Sequence, residues 1–453
     1  MAQTEETLGS LAAKVAELTS TITNYLSSEG LPQPSFAADA PAQYPAVPEV
    51  TQPRLKLIQS LSDMLHLALG GRDYIFTQSI SAQHDMAILD VLNQFDFWSA
   101  VPLSGSVTQA EVAARTGLPE DLVRRFLRHA ATMRLFALVP AGDGDGSGRV
   151  AHTAASAFVA RSPAHRGWIA HHLEESRVAC TRLPDALRRF SVGRAGAAQE
   201  LGETAFALAF GGGEGDGAGT GVTFWDFIRE DGEGERKGFR TGRFAQAMQA
   251  GRGSSGVDFG GLLRGGFDWE GLGEGTVVDV GGSSGHDAVV LAQTYPKLKF
   301  VIQDLPPVEE AFNGNVPEEL RPRISFHPHD FFTPQPIAAD VYFFKAILHD
   351  WPDKYASKIL GALVPAMKPG ARIILCEGVF PPTDSEEWRS LPLTSQRTLS
   401  AMDLQMLVLF NAKQRTVEDW RKLVADADSR LELANVYRLP GSAFGLLEIA
   451  FRG

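Results

Sequence analysis

The sequence predicts an α/β chain: a doubly wound, Rossmann-like parallel sheet with an antiparallel last strand, preceded by an all-α winged-helix-like module. Three observations carry this reading. Apolar runs near residues 276, 298, 323, 340 and 371 are separated by helical patterns such as 353–367, the alternation a parallel sheet requires. Two closing runs, 431–439 and 444–451, are joined by Pro440, Gly441 and Ser442, a connection that fits a hairpin. Residues 108–138 read as helix, turn and helix, with Thr108 as first N-cap, Gly117 to Pro119 in the turn and Asp121 early in the second helix.

From the N-terminus, Leu8, Leu11, Val15, Leu18, Ile22 and Leu26 recur at three- and four-residue steps, an amphipathic helix whose stripe must dock on the N-terminal domain or on a partner subunit. Pro32, Pro34, Pro41, Pro45, Pro48 and Pro53 then forbid regular structure and mark an extended strap over 30–53, with helices resuming near Arg54. The glycine-rich tracts 141–148 and 211–221 read as surface loops, the first as a wing tip. The expected division is therefore 1–53 (helix and strap), 54–221 (winged-helix-like module) and 222–453 (sheet domain).

Composition narrows the function. With 44% hydrophobic residues in 453, the chain can bury a large core. Arg124, Arg125 and Arg128 in the helix–turn–helix invite a DNA reading, but a net charge of -12 without a basic run speaks against nucleic acid or an anionic membrane as partner. Two cysteines, Cys180 and Cys376, are too few for a disulfide framework or a metal site, and the reducing cytoplasm is the expected compartment. The acidic start MAQTEETLGS is not a basic signal-peptide n-region, and no membrane span follows.

The chemistry begins at residues 276–287, TVVDVGGSSGHD: a β-rich run carrying Asp279, a break at Gly281 and Gly282, and a helix restarting after Gly285. Glycines are needed where a strand turns into a helix and a ligand approaches bare backbone. Serines at 283 and 284 spoil the dinucleotide fingerprint, and no lysine follows Gly285 to make a phosphate-cradling loop. An adenosine-bearing ligand without pyrophosphate remains. Asp304, ending the run Phe300 to Gln303, sits where open α/β sheets hold ribose hydroxyls. Asp330, with Phe331 behind it, follows the candidate strand 323–326 and can accept from an adenine amine. One strand-end aspartate more often caps a turn; three beside a glycine loop make a site.

The next strand, 340–347, runs into Leu348, His349, Asp350, Trp351, Pro352 and Asp353. In the order DVGGSSG, VIQDLP, HDFF, ILHDWPD, PGARIILCEGV, the chain resembles the class I S-adenosylmethionine-dependent O-methyltransferases of the plant caffeate/flavonoid and fungal sterigmatocystin types. The resemblance covers nearly the whole chain and is strongest over 267–380. It implies S-adenosylmethionine as cofactor, held by Asp279, Gly281, Gly282, Gly285, Asp304, Leu305, Asp330, Phe331 and Lys345. It implies a homodimer built through the winged-helix module, which also closes the partner's site. It implies His349 as general base, with Glu377 and the residue at 414 orienting it. The acceptor wall becomes Asp350, Met406 and Asn411, completed by residues around His84 and Met86. The wording looks fungal and favours an aromatic polyketide or related secondary metabolite as acceptor.

Methyl transfer needs an oxygen aligned behind an activated methyl and a base for its proton. A phenol of pKa about 10 facing an imidazole of about 6.5 leaves proton transfer uphill by roughly 5 kcal/mol, which attack concerted with deprotonation can absorb. One position departs from the family. Residues 411–416 read NAKQRT, so Gln414 stands where a glutamate is usual. An amide can hydrogen-bond the imidazole but gives up the charge that stabilises its protonated form. Two further readings therefore stay open: a cofactor-assisted pericyclase or dehydratase, with Lys345 as hydrogen-bond donor, and a cofactor-binding scaffold without turnover.

Overall fold

A computed structural model describes residues 6–140, 148–211, 221–230, 238–254, 259–439, 442 and 444–453. Two compact units emerge: Met1–Val178 with Trp225–Ser255 and Leu391–Arg397, and Ala179–Phe224 with Gly256–Ser390 and Thr398–Gly453. The units interleave along the chain, whereas the sequence suggests consecutive blocks. Among the described residues no helix is long and apolar enough to cross a membrane.

In the first unit the helix Leu8–Ser28 starts with a capping box between Thr7 and Ser10. Only Leu11, Ile22 and Leu26 of the expected stripe are buried. Ile22 and Leu26 pack on Val50 of the helix Pro48–Gln94, so the C-terminal end of the stripe finds cover within its own chain. That long helix begins six residues before the expected Arg54 and contains Pro53; Pro48 opens it at a position where no N–H is needed. Gly70, at φ 65°, interrupts it midway.

The helix–turn–helix forms as the spacing predicts. Thr108 caps Gln109–Thr116 with Glu111 closing the capping box, Gly117 turns at φ 72°, and Glu120–Thr132 follows. Its core joins Val112, Val123, Leu127, Phe136, Val150 and Trp98. Strands β1 (Val107–Thr108), β2 (Phe136–Val139) and β3 (Arg149–His152) form an antiparallel sheet in the order β1-β3-β2. The expected wing tip lies mostly outside the described residues.

The second unit holds seven strands: β4 (Thr276–Val280), β5 (Lys299–Asp304), β6 (Ile324–Pro328), β7 (Val341–Lys345), β8 (Arg372–Gly378), β9 (Leu431–Arg438) and β10 (Phe444–Phe451), in the order β6-β5-β4-β7-β8-β10-β9. Pairs among β4 to β8 are parallel, while β10 runs antiparallel to β8 and β9. Val277, Phe300, Ile302, Val341, Phe343, Ile374 and Leu446 fill the core with Trp269. The chain winds outward from β4 through β5 to β6 and then returns to β7 beside β4. The reversal opens a crevice at the carboxyl ends of β4 and β7, where open α/β sheets place their ligands.

Candidate active site

The loop after β4 depends on backbone that side chains avoid. Gly281 and Gly285 lie at φ 72° and 75°, and Ser283 between them at 50°. A Cβ on Gly282 would stand 2.6 Å from the Asp279 Cγ, so the carboxylate and the bare backbone occupy one another's van der Waals space. Gly281 and Gly282 both donate their N–H to the Gln303 carbonyl at 2.7 and 3.1 Å. Asp304 extends that tie: its Oδ2 accepts from Ser283 N at 3.0 Å and its Oδ1 from Leu305 N at 2.7 Å. Burial pushes the Asp304 carboxyl above its ordinary pKa, and those two N–H donors pull the other way.

Asp330 follows β6, its Oδ1 accepting from Phe332 N at 3.0 Å, which shapes the turn that holds Phe331. Phe331 and Phe332 pack edge-on against Trp351, with ring centroids 5.8 and 4.7 Å away. The cradle thus combines bare backbone at 281 and 282, a strand-end carboxylate at 304 and an aromatic wall. That set fits an adenosine-bearing ligand.

Beside the cradle, β7 ends in a held kink. Ala346 adopts φ 53°, left-handed and costly for a residue with a Cβ, while its N–H donates to the Cys376 carbonyl at 3.0 Å. The chain then enters the short 3₁₀ helix Leu348–Asp350 that carries His349. Gln414 Nε2 lies 3.2 Å from His349 Nδ1, and Asp350 Oδ1 lies 3.5 Å from Nε2. The His349 side chain is 15% exposed.

Glu377 requires a correction. Its Oε1 accepts from the backbone N–H of Ile347 at 2.9 Å and of Leu348 at 2.6 Å rather than from the imidazole, and its buried Oε2 has no hydrogen-bond partner among the described residues. It orients the base through the backbone, by neutralising the opening amides of the His349 turn. Lys345 also departs from expectation. Its ammonium pairs with Asp287 at 2.6 Å and lies 4.5 Å from the centre of the Phe259 ring.

Arg415, fully buried, is the functional residue that sequence reasoning missed. It donates to the Leu348 carbonyl at 2.7 Å, to the Trp351 carbonyl at 2.8 Å and to Asp353 at 2.9 Å. Glu377 therefore holds the turn's N–H groups while Arg415 holds its C=O groups, with His349 in between. The available signal was the arginine following Gln414 in NAKQRT. Among the acceptor candidates, Met406 is 9% exposed on the helix Leu393–Phe410, and Asn411, at φ 55°, donates its amide to the Glu200 carbonyl at 2.9 Å. His84 and Met86 lie exposed on Pro48–Gln94 in the first unit.

Residues 220–429 match the family model described as the O-methyltransferase domain. The chain is similar to the O-methyltransferase lcsG of Purpureocillium lilacinum, 33% identical over 93% of this chain and 89% of that protein. It belongs to the O-methyltransferase family. The grayanic acid biosynthesis cluster O-methyltransferase of Cladonia grayi is 32% identical over 98% of this chain and 88% of its own length. In fold, this O-methyltransferase is similar to the crystal structure of OxaC (TM-score 0.73, 21% identity, 97% of this chain and 98% of the other). It is likewise similar to LepI in complex with SAM (TM-score 0.70, 22% identity, 97% and 99%). The methyltransferase uses S-adenosylmethionine as methyl donor and a small molecule as acceptor. Its glycine loop and Asp304 are the parts that fit that donor.

Proposed function

We propose that this O-methyltransferase methylates a phenolic hydroxyl of a secondary metabolite, with His349 taking the hydroxyl proton. The supporting observation is a partly exposed imidazole whose turn is held on both sides, by Glu377 and Arg415. S-adenosylmethionine, when bound, supplies a methyl group already activated by its sulfonium. Asp304 would hold the ribose, Asp279 and the bare Gly281 and Gly282 the neighbouring backbone-facing part, and Asp330 with Phe331 the adenine. Asp350 aligns the acceptor beside His349, and Met406 and Asn411 contribute to its wall.

Incubation with methyl-labelled cofactor and aromatic polyketide acceptors tests this reading. Product heavier by one labelled methyl supports it. An isomerised or dehydrated product with the cofactor unconsumed would replace methylation by the pericyclase or dehydratase reading.

Asp304→Ala is expected to weaken binding of S-adenosylmethionine and its demethylated product by about 2 to 3 kcal/mol, because a charged hydrogen bond to ribose and the tie to Ser283 are lost together. Calorimetry returning wild-type affinity would remove Asp304 from the site.

We further infer that residues 1–53 and 54–221 serve pairing, that 222–453 bind cofactor, and that the enzyme is a cytoplasmic homodimer. Leu61, Leu65, Ile75, Phe76 and Ile80 leave 45 to 66% of their surface exposed along Pro48–Gln94, an apolar face that a second copy would bury. Light scattering should give twice the 49.0 kDa chain mass, and a stable monomer mass would exclude pairing.

A further inference from the structure

The partners of His349 bear on which acceptors the enzyme can use; the inference rests on the methyltransferase reading. Among the described residues, the only side chain bonded to Nδ1 is the Gln414 carboxamide, at 3.2 Å. This carboxamide presents its NH2 group to the ring. Gln414 N donates to Asp403 Oδ1 at 2.7 Å, and its Oε1 lies close against Gly378, where any Cβ would collide with it. The nearby acids do not replace the missing charge at that nitrogen. Glu377 Oε1 is engaged by two backbone N–H groups, and Asp350 stands at the opposite nitrogen, 3.5 Å from Nε2.

Two consequences follow for a base of this kind. When Nε2 takes a proton, a carboxylate at Nδ1 would add to the stabilisation that Asp350 gives the imidazolium from 3.5 Å, whereas an amide adds only its dipole. An amide also supports both neutral tautomers. Donating through its own Nε2, as it does here, it favours Nε2–H on the ring, a form with no lone pair facing the acceptor; turned over so that it accepts, it favours Nδ1–H and leaves the ring Nε2 free to act. Asp350 beside Nε2 strengthens the idle Nε2–H form.

We propose that Gln414 restricts the enzyme to acceptors whose hydroxyl is already acidic: a phenol or enol conjugated to a carbonyl group, whose anion is delocalised onto the carbonyl oxygen. For a plain phenol the proton transfer to imidazole is unfavourable by roughly three thousandfold, and conjugation removes most of that deficit. In the step itself the acceptor O–H breaks and Nε2–H forms. The acceptor oxygen bonds to the methyl carbon as the carbon–sulfur bond breaks, its electron pair remaining on sulfur.

The test compares resorcinol, 2,4-dihydroxyacetophenone and methyl 2,4-dihydroxybenzoate with labelled cofactor, for wild type and Gln414→Glu, each first titrated with cofactor to establish folding. Wild type should methylate the two acyl rings about tenfold or more faster than resorcinol, and Gln414→Glu should narrow that gap about fivefold by raising the resorcinol rate. Nitrogen-15 spectra of His349 supply a readout independent of turnover: a population with Nε2–H in wild type, and Nδ1–H alone in Gln414→Glu. If Gln414→Glu does not bind cofactor, Gln414→Met takes its place and should widen the gap. Equal rates on all three rings overturn the proposal while leaving methyl transfer intact. An unchanged gap in the variant, identical tautomers in both proteins, or no label on either acyl ring overturns it as well.

Discussion

Replacing His349 by alanine is expected to lower turnover by roughly two to four orders of magnitude, the loss typical of a missing general base. The ring sits at the end of a kinked strand, bonded to Gln414 at one nitrogen and partly exposed, so its removal deletes the expected proton acceptor without touching the glycine loop or Asp304. Cofactor affinity should therefore stay within about threefold of wild type, since the change falls on the transition state. Added imidazole should restore part of the rate by filling the space with a small base. Single-turnover transfer of labelled methyl measures both effects. A loss below tenfold would move the proton elsewhere and leave His349 a packing residue.

The second large effect concerns Arg415. Its replacement by leucine is expected to destabilise the protein by about 2 to 4 kcal/mol, because the buried Leu348 and Trp351 carbonyls each lose a guanidinium donor, the Leu348 carbonyl keeping only the Trp351 N–H at 3.3 Å. Asp353, 41% exposed, keeps its pairing with Lys413 at 3.3 Å, so the lost carbonyl donors decide the outcome rather than the acid. Arg415→Lys keeps the charge but not the fork, and should recover no more than about half. Urea unfolding followed through Trp420, whose ring lies 4.9 Å from the guanidinium, gives the number. A change under about 1 kcal/mol would mean that the turn holds itself.

Much of the sheet was legible because its strands are buried on both faces and read as unbroken apolar runs. The expected starts near 276, 298, 323, 340 and 371 fall within a residue of β4, β5, β6, β7 and β8. The closing hairpin was equally plain. The site was legible where a local rule fixes it, as in the glycine loop and the strand-end aspartates. It was not legible where partners come from far along the chain: Arg415 reaches Leu348 across 67 residues, and Glu377 reaches Leu348 across 29. Nor does local pattern predict that Pro53 lies inside a helix. A proline in the second turn removes one hydrogen bond, and burial of Val50 against Ile22 and Leu26 outweighs it.

Gly281 and Ile347 meet at the sheet reversal, where a Cβ on the glycine would stand 2.7 Å from the isoleucine Cδ1. Ile347 is also one of the two residues whose amide Glu377 holds. Cofactor loop and base turn thus share a single boundary with no slack, and neither can drift alone. In a lineage of such enzymes, positions 281 and 347 should change as a pair, with a larger residue on one side tolerated only when the other shrinks. A laboratory library that varies the loop without the turn would yield variants that still bind cofactor and have lost their rate.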